Sequence, residues 1–234
     1  MINGKVTDKF YLSSIDFNLQ VIHKALLKHV DFSLNPKFII SSVSKYGEEL
    51  FLYLKNTFKC PTYTIKQELH QTNIKYLPYQ KDAIGTDILC KGAWVVNSLK
   101  TDALILDVGT ATVVQYMNKQ QELAKVAITL GLGTIYRNIS QIASLPLVTP
   151  KKVEHALGTD TQSAIESGVF WGYIGMVNTL LQKSIAETKC KNVFITGGLA
   201  ELILNEICIP FIYNPNIVFE GINMIYQLNK ELME

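Results

Sequence analysis

The chain has 234 residues, 48% of them hydrophobic, with 22 basic and 20 acidic side chains and a net charge of +2. That much apolar material can bury one compact core or two small lobes, and the near balance of charge supplies no long-range field suited to nucleic acid, so no nucleic-acid partner is expected. No apolar run is long enough to span a bilayer and the segment from Met1 to Phe10 is polar and charged, so no membrane partner is expected and the protein is expected to be cytoplasmic.

Taken in chain order, Asn3-Gly4 ahead of alternating apolar residues predicts a turn feeding a strand. Asp16 to Val30 places Phe17, Leu19, Ile22, Ala25, Leu26 and Val30 at helical spacing. Phe38 to Ile40 reads as a short buried strand and Lys45 to Phe58 as an amphipathic helix closed by Cys60-Pro61. Thr62 to Ile65 suits a strand, and Asp87 to Leu99 has helical character.

The texture then changes. Ala103 to Leu106 is a continuous apolar strand running into Asp107-Val108-Gly109-Thr110, and Thr112 to Tyr116 and Leu123 to Leu130 supply two more strands. Gly131-Leu132-Gly133 precedes a helix expected near Ile135 to Ala143. Thr161 to Ala186 predicts a long helix that is apolar on most faces, as for one buried between layers or in a subunit interface. Val193 to Thr196 follows as a strand, Gly197-Gly198 as a turn and Leu199 to Asn205 as a helix. A strand from Ile209 to Tyr213 and a helix from Ile222 to Leu232 complete an α/β pattern.

Cys60, Cys90, Cys190 and Cys208 are scattered and the four histidines have no ligand spacing, which points to neither a disulfide frame nor a zinc site. Arg137 is the only arginine among the basic residues, so a site needing a bidentate guanidinium has one candidate.

Two motifs carry chemistry. In Asp107-Val108-Gly109-Thr110 a strand delivers a carboxylate, a glycine admits a close backbone approach, and a threonine offers a hydroxyl. Backbone N–H groups in such a turn cradle phosphate oxygens, and the carboxylate would act through a metal ion or water. A plain hairpin turn is the competing reading. In Thr196-Gly197-Gly198 a strand enters a turn without side chains, leaving room for a flat ligand; a tight strand–helix connection competes. Together, D-x-G-T on a hairpin and a later T-G-G resemble the second phosphate loop and the adenosine motif of the superfamily of actin, sugar kinases and heat-shock ATPases.

A third segment resembles type III pantothenate kinases. Tyr76-Leu77-Pro78 and Ala83-Ile84-Gly85-Thr86-Asp87, twenty residues before Asp107, are similar to that family's P-x-x-x-G-A-D-R run, and Gly158, Thr161, Ala164, Ser167 and Gly168 to its G-x-x-T-x-x-A-x-x-S-G run. The resemblance implies two ribonuclease-H-like lobes, residues 1–101 and 102–234. It implies ATP-dependent phosphorylation of pantothenate, the first step of coenzyme A biosynthesis, with Mg2+ and a monovalent cation (K+ or NH4+), in a homodimer. Asp87 becomes the general base, Gly85, Thr86, Asp87, Tyr79 and Thr161 contact pantothenate, and Asp107, Gly109, Thr110, Gly197 and Gly198 hold ATP, Asp107 also serving the metal. A helix N-cap is the other reading of Asp87.

Two departures stand out. The residue after the family's Asp is an arginine, and here it is Ile88. The family's opening D-x-G-N-T loop is not found in this sequence, and Asn3-Gly4-Lys5 resembles the segment that follows it, so the first lobe is expected to be N-terminally truncated. These departures keep open the alternative of a catalytically inactive or regulatory homologue that retains the fold to bind a ligand or partner.

Overall fold

The computed structural model describes residues 1, 5–10, 12, 17–42, 44, 46–65, 69, 71–75, 84–142 and 145–232. The expected Asn3-Gly4 turn, the helix starts at Asp16 and Lys45, the Tyr76–Ala83 part of the third motif and the expected substrate contact Tyr79 lie outside the described residues.

The chain divides into two compact units: residues 1–74, 78–98 and 216–234 form the first, and residues 75–77 and 99–215 the second.

In the first unit, α1 (Leu19–His29) begins where Asn18 accepts hydrogen bonds from the N–H groups of Gln20 and Val21. Strand β1 (Phe38–Ile40) and β2 (Thr62–Thr64) pair in parallel, with α2 (Gly47–Phe58) as the crossover between them. Helix α3 (Thr86–Ser98) is buried along nearly its whole length from Ile88 to Val96. It packs against α6 (Ile217–Leu228) so closely that a methyl group on Gly221 would lie 1.9 Å from the Cys90 carbonyl oxygen. That contact assigns the C-terminal helix to the first unit. The resemblance implies a boundary near residue 101; in the structure residues 216–234 join the first unit, through the packing of α6 on α3.

The second unit is built on a five-stranded sheet. Strand β3 (Ala103–Val108) is flanked by the antiparallel β4 (Ala111–Met117) and the parallel β6 (Val193–Thr196); β5 (Leu123–Leu130) extends the sheet beyond β4 and β7 (Ile212–Tyr213) beyond β6. The order β5-β4-β3-β6-β7, with only the two hairpin-linked pairs antiparallel, is the ribonuclease-H-like arrangement. Helices α4 (Leu132–Ile139) and α5 (Thr161–Thr188) complete the unit. Its core joins Leu104, Leu106 and Val108 of β3 to Phe170, Tyr173, Val177 and Leu181 of α5.

Four expected elements come out differently, the last helix among them, which runs Ile217–Leu228 rather than Ile222–Leu232. Helix α4 starts at Leu132 rather than Ile135, because the extended Gly131 ends β5 and the N–H groups of Thr134 and Ile135 both bond to its carbonyl. The helix expected over Leu199–Asn205 is two 3-10 turns, Ala200–Leu202 and Leu204–Glu206. The final strand is two residues long.

Candidate functional site

The second unit gathers its motif residues into one backbone cluster. Asp107 is the penultimate residue of β3 and stands in parallel register with Thr196 of β6, so the two motif turns leave the sheet side by side. Gly197 has φ of +108°, and a methyl there would come within 2.4 Å of the Val108 nitrogen. Only glycine satisfies both the torsion and the approach. Leu199 N–H donates to the Val108 carbonyl at 3.2 Å, which ties the turns together. Gly198 and Thr110 are exposed.

Pattern reading missed a third contributor, the start of α4. A methyl on Gly131 would lie 2.0 Å from the Gly109 carbonyl oxygen, and Gly131 N–H donates to the Thr110 carbonyl at 3.1 Å. The Thr134 hydroxyl donates to that same carbonyl at 2.7 Å and accepts from Arg137 Nη2 at 3.0 Å. The single arginine of the chain therefore sits two hydrogen bonds from the Thr110 turn. The Gly131-x-Gly133-Thr134 run was the available signal, since it follows a strand and opens a helix.

Thr161 occupies a different place. It is the first residue of α5, exposed beside the capping Asp160, whose carboxylate accepts from Ser163 N–H at 2.9 Å. That bond and the Ser163 hydroxyl hold the Asp160 carboxyl below its ordinary range. Thr161 lines an apolar groove of about 630 Å³ with Ile135 and Ile139 of α4 and with Ala164, Gly168, Gly172 and Met176 of α5.

In the first unit, Asp87 falls in the first turn of α3, where Thr86 is already helical. Asp87 is therefore not the N-cap that the sequence allowed: Gly85 holds that place, Asp87 lies two residues inside it, and its charge is favourable at that helix end. Leu89 N–H donates to the Gly85 carbonyl at 3.1 Å. The Ser41 hydroxyl, after β1, donates to Thr86 Oγ1 at 2.9 Å and so anchors the turn. Burial pushes the neighbouring Cys90 thiol up to about 12, which makes it an inert packing group. Asp87 Oδ2 is paired with Lys91 Nζ at 2.9 Å; the lysine side chain is 0% exposed and the aspartate 43%. Ile88 is buried.

Among the described residues no cluster of three or more His, Cys, Asp or Glu side chains is arranged to hold a metal ion. Asp107 remains a fitting single ligand, since Mg2+ is commonly held by one or two carboxylates together with substrate phosphates and water. Among the same residues no helix is long and apolar enough to cross a membrane.

A ribonuclease-H-like sheet that sets a D-x-G-T turn beside a T-G-G turn defines an α/β protein of the actin-like fold class. The sequence profile of type III pantothenate kinases matches residues 12–183, and the chain belongs to that family. It is similar to the type III pantothenate kinase of Dehalococcoides mccartyi (strain CBDB1), 30% identical over 213 residues, covering 88% of this chain and 80% of that protein. It is also similar to that of Pelagibacter ubique (strain HTCC1062), 27% identical over 230 residues, covering 95% and 91%. Its fold matches the crystal structure of a conserved Campylobacter jejuni protein of the Baf family of transcriptional activators, with a TM-score of 0.56 and 18% identity over 89% of each chain.

Proposed function

We propose that the protein transfers the γ-phosphoryl group of ATP to the primary hydroxyl of pantothenate, giving 4'-phosphopantothenate and ADP as the first step of coenzyme A biosynthesis in the cytoplasm. The observation that carries this reading is the backbone contact between the Asp107–Thr110 turn and Gly197, because it makes a patch free of large side chains beside a carboxylate and a hydroxyl. Phosphoryl transfer asks for positioning and charge neutralisation more than for covalent chemistry. Gly109, Thr110, Gly197 and Gly198 are assigned to ATP, with Thr110 offering its hydroxyl to the phosphates. Asp107 would hold Mg2+, which neutralises phosphate charge when bound; a monovalent cation is assigned to the same phosphate region.

Asp87 is assigned as the base. The hydroxyl oxygen of pantothenate bonds to the γ-phosphorus, the bond from that phosphorus to the bridging oxygen breaks, ADP leaves with the electron pair, and the hydroxyl proton passes to Asp87. Gly85, Thr86 and Tyr79 are assigned to pantothenate, as is Thr161 at the edge of the α5 groove. A second copy of the chain is assigned to that groove, making a homodimer.

The test is incubation with ATP, Mg2+, K+ and pantothenate, with 4'-phosphopantothenate followed by mass spectrometry. Product is expected, and Asp87→Asn should lower its rate by about a thousandfold or more, the loss of a general base together with its positioning. A second reading, a non-catalytic homologue that binds a ligand or partner, is favoured by Ile88, buried where the family motif has arginine. Calorimetric ATP binding without any product under these conditions would decide for it.

A further inference from the structure

We propose that Lys91 is a positioning residue for Asp87: a buried ammonium that pins one carboxylate oxygen and leaves the other to receive the acceptor's proton. The inference rests on the assignment of Asp87 as the base. Lysine is almost never fully buried unless paired, since an ammonium withdrawn from water loses a large hydration energy. Lys91 is nevertheless 0% exposed, and its nitrogen lies 2.9 Å from Asp87 Oδ2. On a helix surface an Asp–Lys pair four residues apart is usually a solvated contact of small consequence. Here the lysine comes from the inner face of α3, between Cys90 and Gly92, which are themselves buried. Its stem is held by packing, so the position of its nitrogen is set by the fold.

The aspartate is held in the opposite way. It is 43% exposed, and its Oδ1 makes no hydrogen bond among the described residues. An exposed aspartate without a fixed partner samples several rotamers; this one has Oδ2 tethered to a rigid donor, which orients Oδ1 outward. A group that must meet a hydroxyl at hydrogen-bonding distance gains from such a tether, because misplacement by an ångström costs up to about a hundredfold in rate. Ile88, next in sequence to Asp87, is apolar and buried, so the cation beside this carboxylate is supplied one helical turn later.

The proposal is tested with Lys91→Met, which keeps length and apolar stem while removing the charge, with Lys91→Gln as a second variant should the first fail to fold. Pantothenate phosphorylation and thermal melting are measured for the parent, each variant, Asp87→Asn and the double variant. Loss of the tether should lower kcat by about 30-fold, with KM for ATP and pantothenate within about twofold of the parent. In the Asp87→Asn background the same change should leave the residual rate unmoved, because the tether has nothing left to orient. A folded Lys91 variant with parental kcat overturns the proposal while leaving the function standing, as does an equal loss of rate in both backgrounds. A folded parent that yields no 4'-phosphopantothenate overturns the assigned function, and the proposal with it.

Discussion

Gly197 combines a left-handed torsion with a backbone neighbour 2.4 Å from where a methyl would sit. Gly197→Ala must therefore strain the chain and push the Val108 turn aside at once. Destabilisation of about 2–4 kcal/mol is expected by chemical denaturation, together with weakened ATP binding by calorimetry. A variant as stable as the parent would show that the two turns can separate freely. Glu166 bears on acid stability. Its side chain is 9% exposed and is held by Lys151 Nζ at 2.8 Å and Gln162 Nε2 at 2.9 Å, and these bonds, Lys151 first, keep its carboxyl below the usual range. A folded value below the unfolded one contributes stability that is present above the unfolded value, about 4.3, and is lost as pH falls through the folded value. The melting temperature should fall on acidification below about pH 5, and Glu166→Gln should make that fall shallower.

At the scale of elements, residues with strong local patterns were legible and those fixed by distant contacts were not. The apolar run of β3, the hairpin to β4 and the long α5 follow from composition and period, and all form near their expected limits. Asp107, Gly109 and Gly197 could be singled out because a carboxylate and glycines at strand ends are unusual in themselves. Gly131 and Thr134 gave only the weaker signal of a glycine run between a strand and a helix, because what sets their importance is a contact with Gly109 and Thr110 more than twenty residues away. Lys91 was hidden for a similar reason: a lone lysine on a helix reads as solvated until tertiary packing closes over it. The 3-10 turns after Gly198 reflect a run of Leu, Ile and Ala that favours burial without setting a helical face. Placement of α6 against α3 was equally invisible, and it rests on Gly221. Gly221→Ala has to move the Cys90 backbone or spread the helices, so a loss of about 3 kcal/mol is expected in urea unfolding. Because α3 also carries Asp87, the same variant should lower kcat without changing ATP affinity.

For the whole molecule, the open question is what meets the outer face of α5. Ile165, Val169, Phe170 and Tyr173 point into the core of the second unit, yet the helix is also apolar on its other side. There, methyl groups on Gly168, Gly172 or Gly175 would meet nothing within 4 Å. Small residues of this kind let a second helix approach closely, and the adjoining groove of about 630 Å³ is lined almost wholly by Ile, Ala, Val, Met and Gly. Occupation by a second copy of the chain would remove that surface from water at roughly 25 cal/mol for each Å² of apolar area, and would bring an exposed Thr161 to the rim of a shared interface. Gly172→Arg places a long charged side chain in that groove without touching the core. Sedimentation velocity should then report a monomer where the parent sediments as a dimer. If Thr161 serves pantothenate across the interface, KM for pantothenate should rise in the same variant while ATP binding, assigned to the turns at Asp107 and Gly197, stays unchanged. A parent that is monomeric at micromolar concentration, or an arginine variant that remains dimeric, removes the second copy from this face and leaves the groove to the substrate alone.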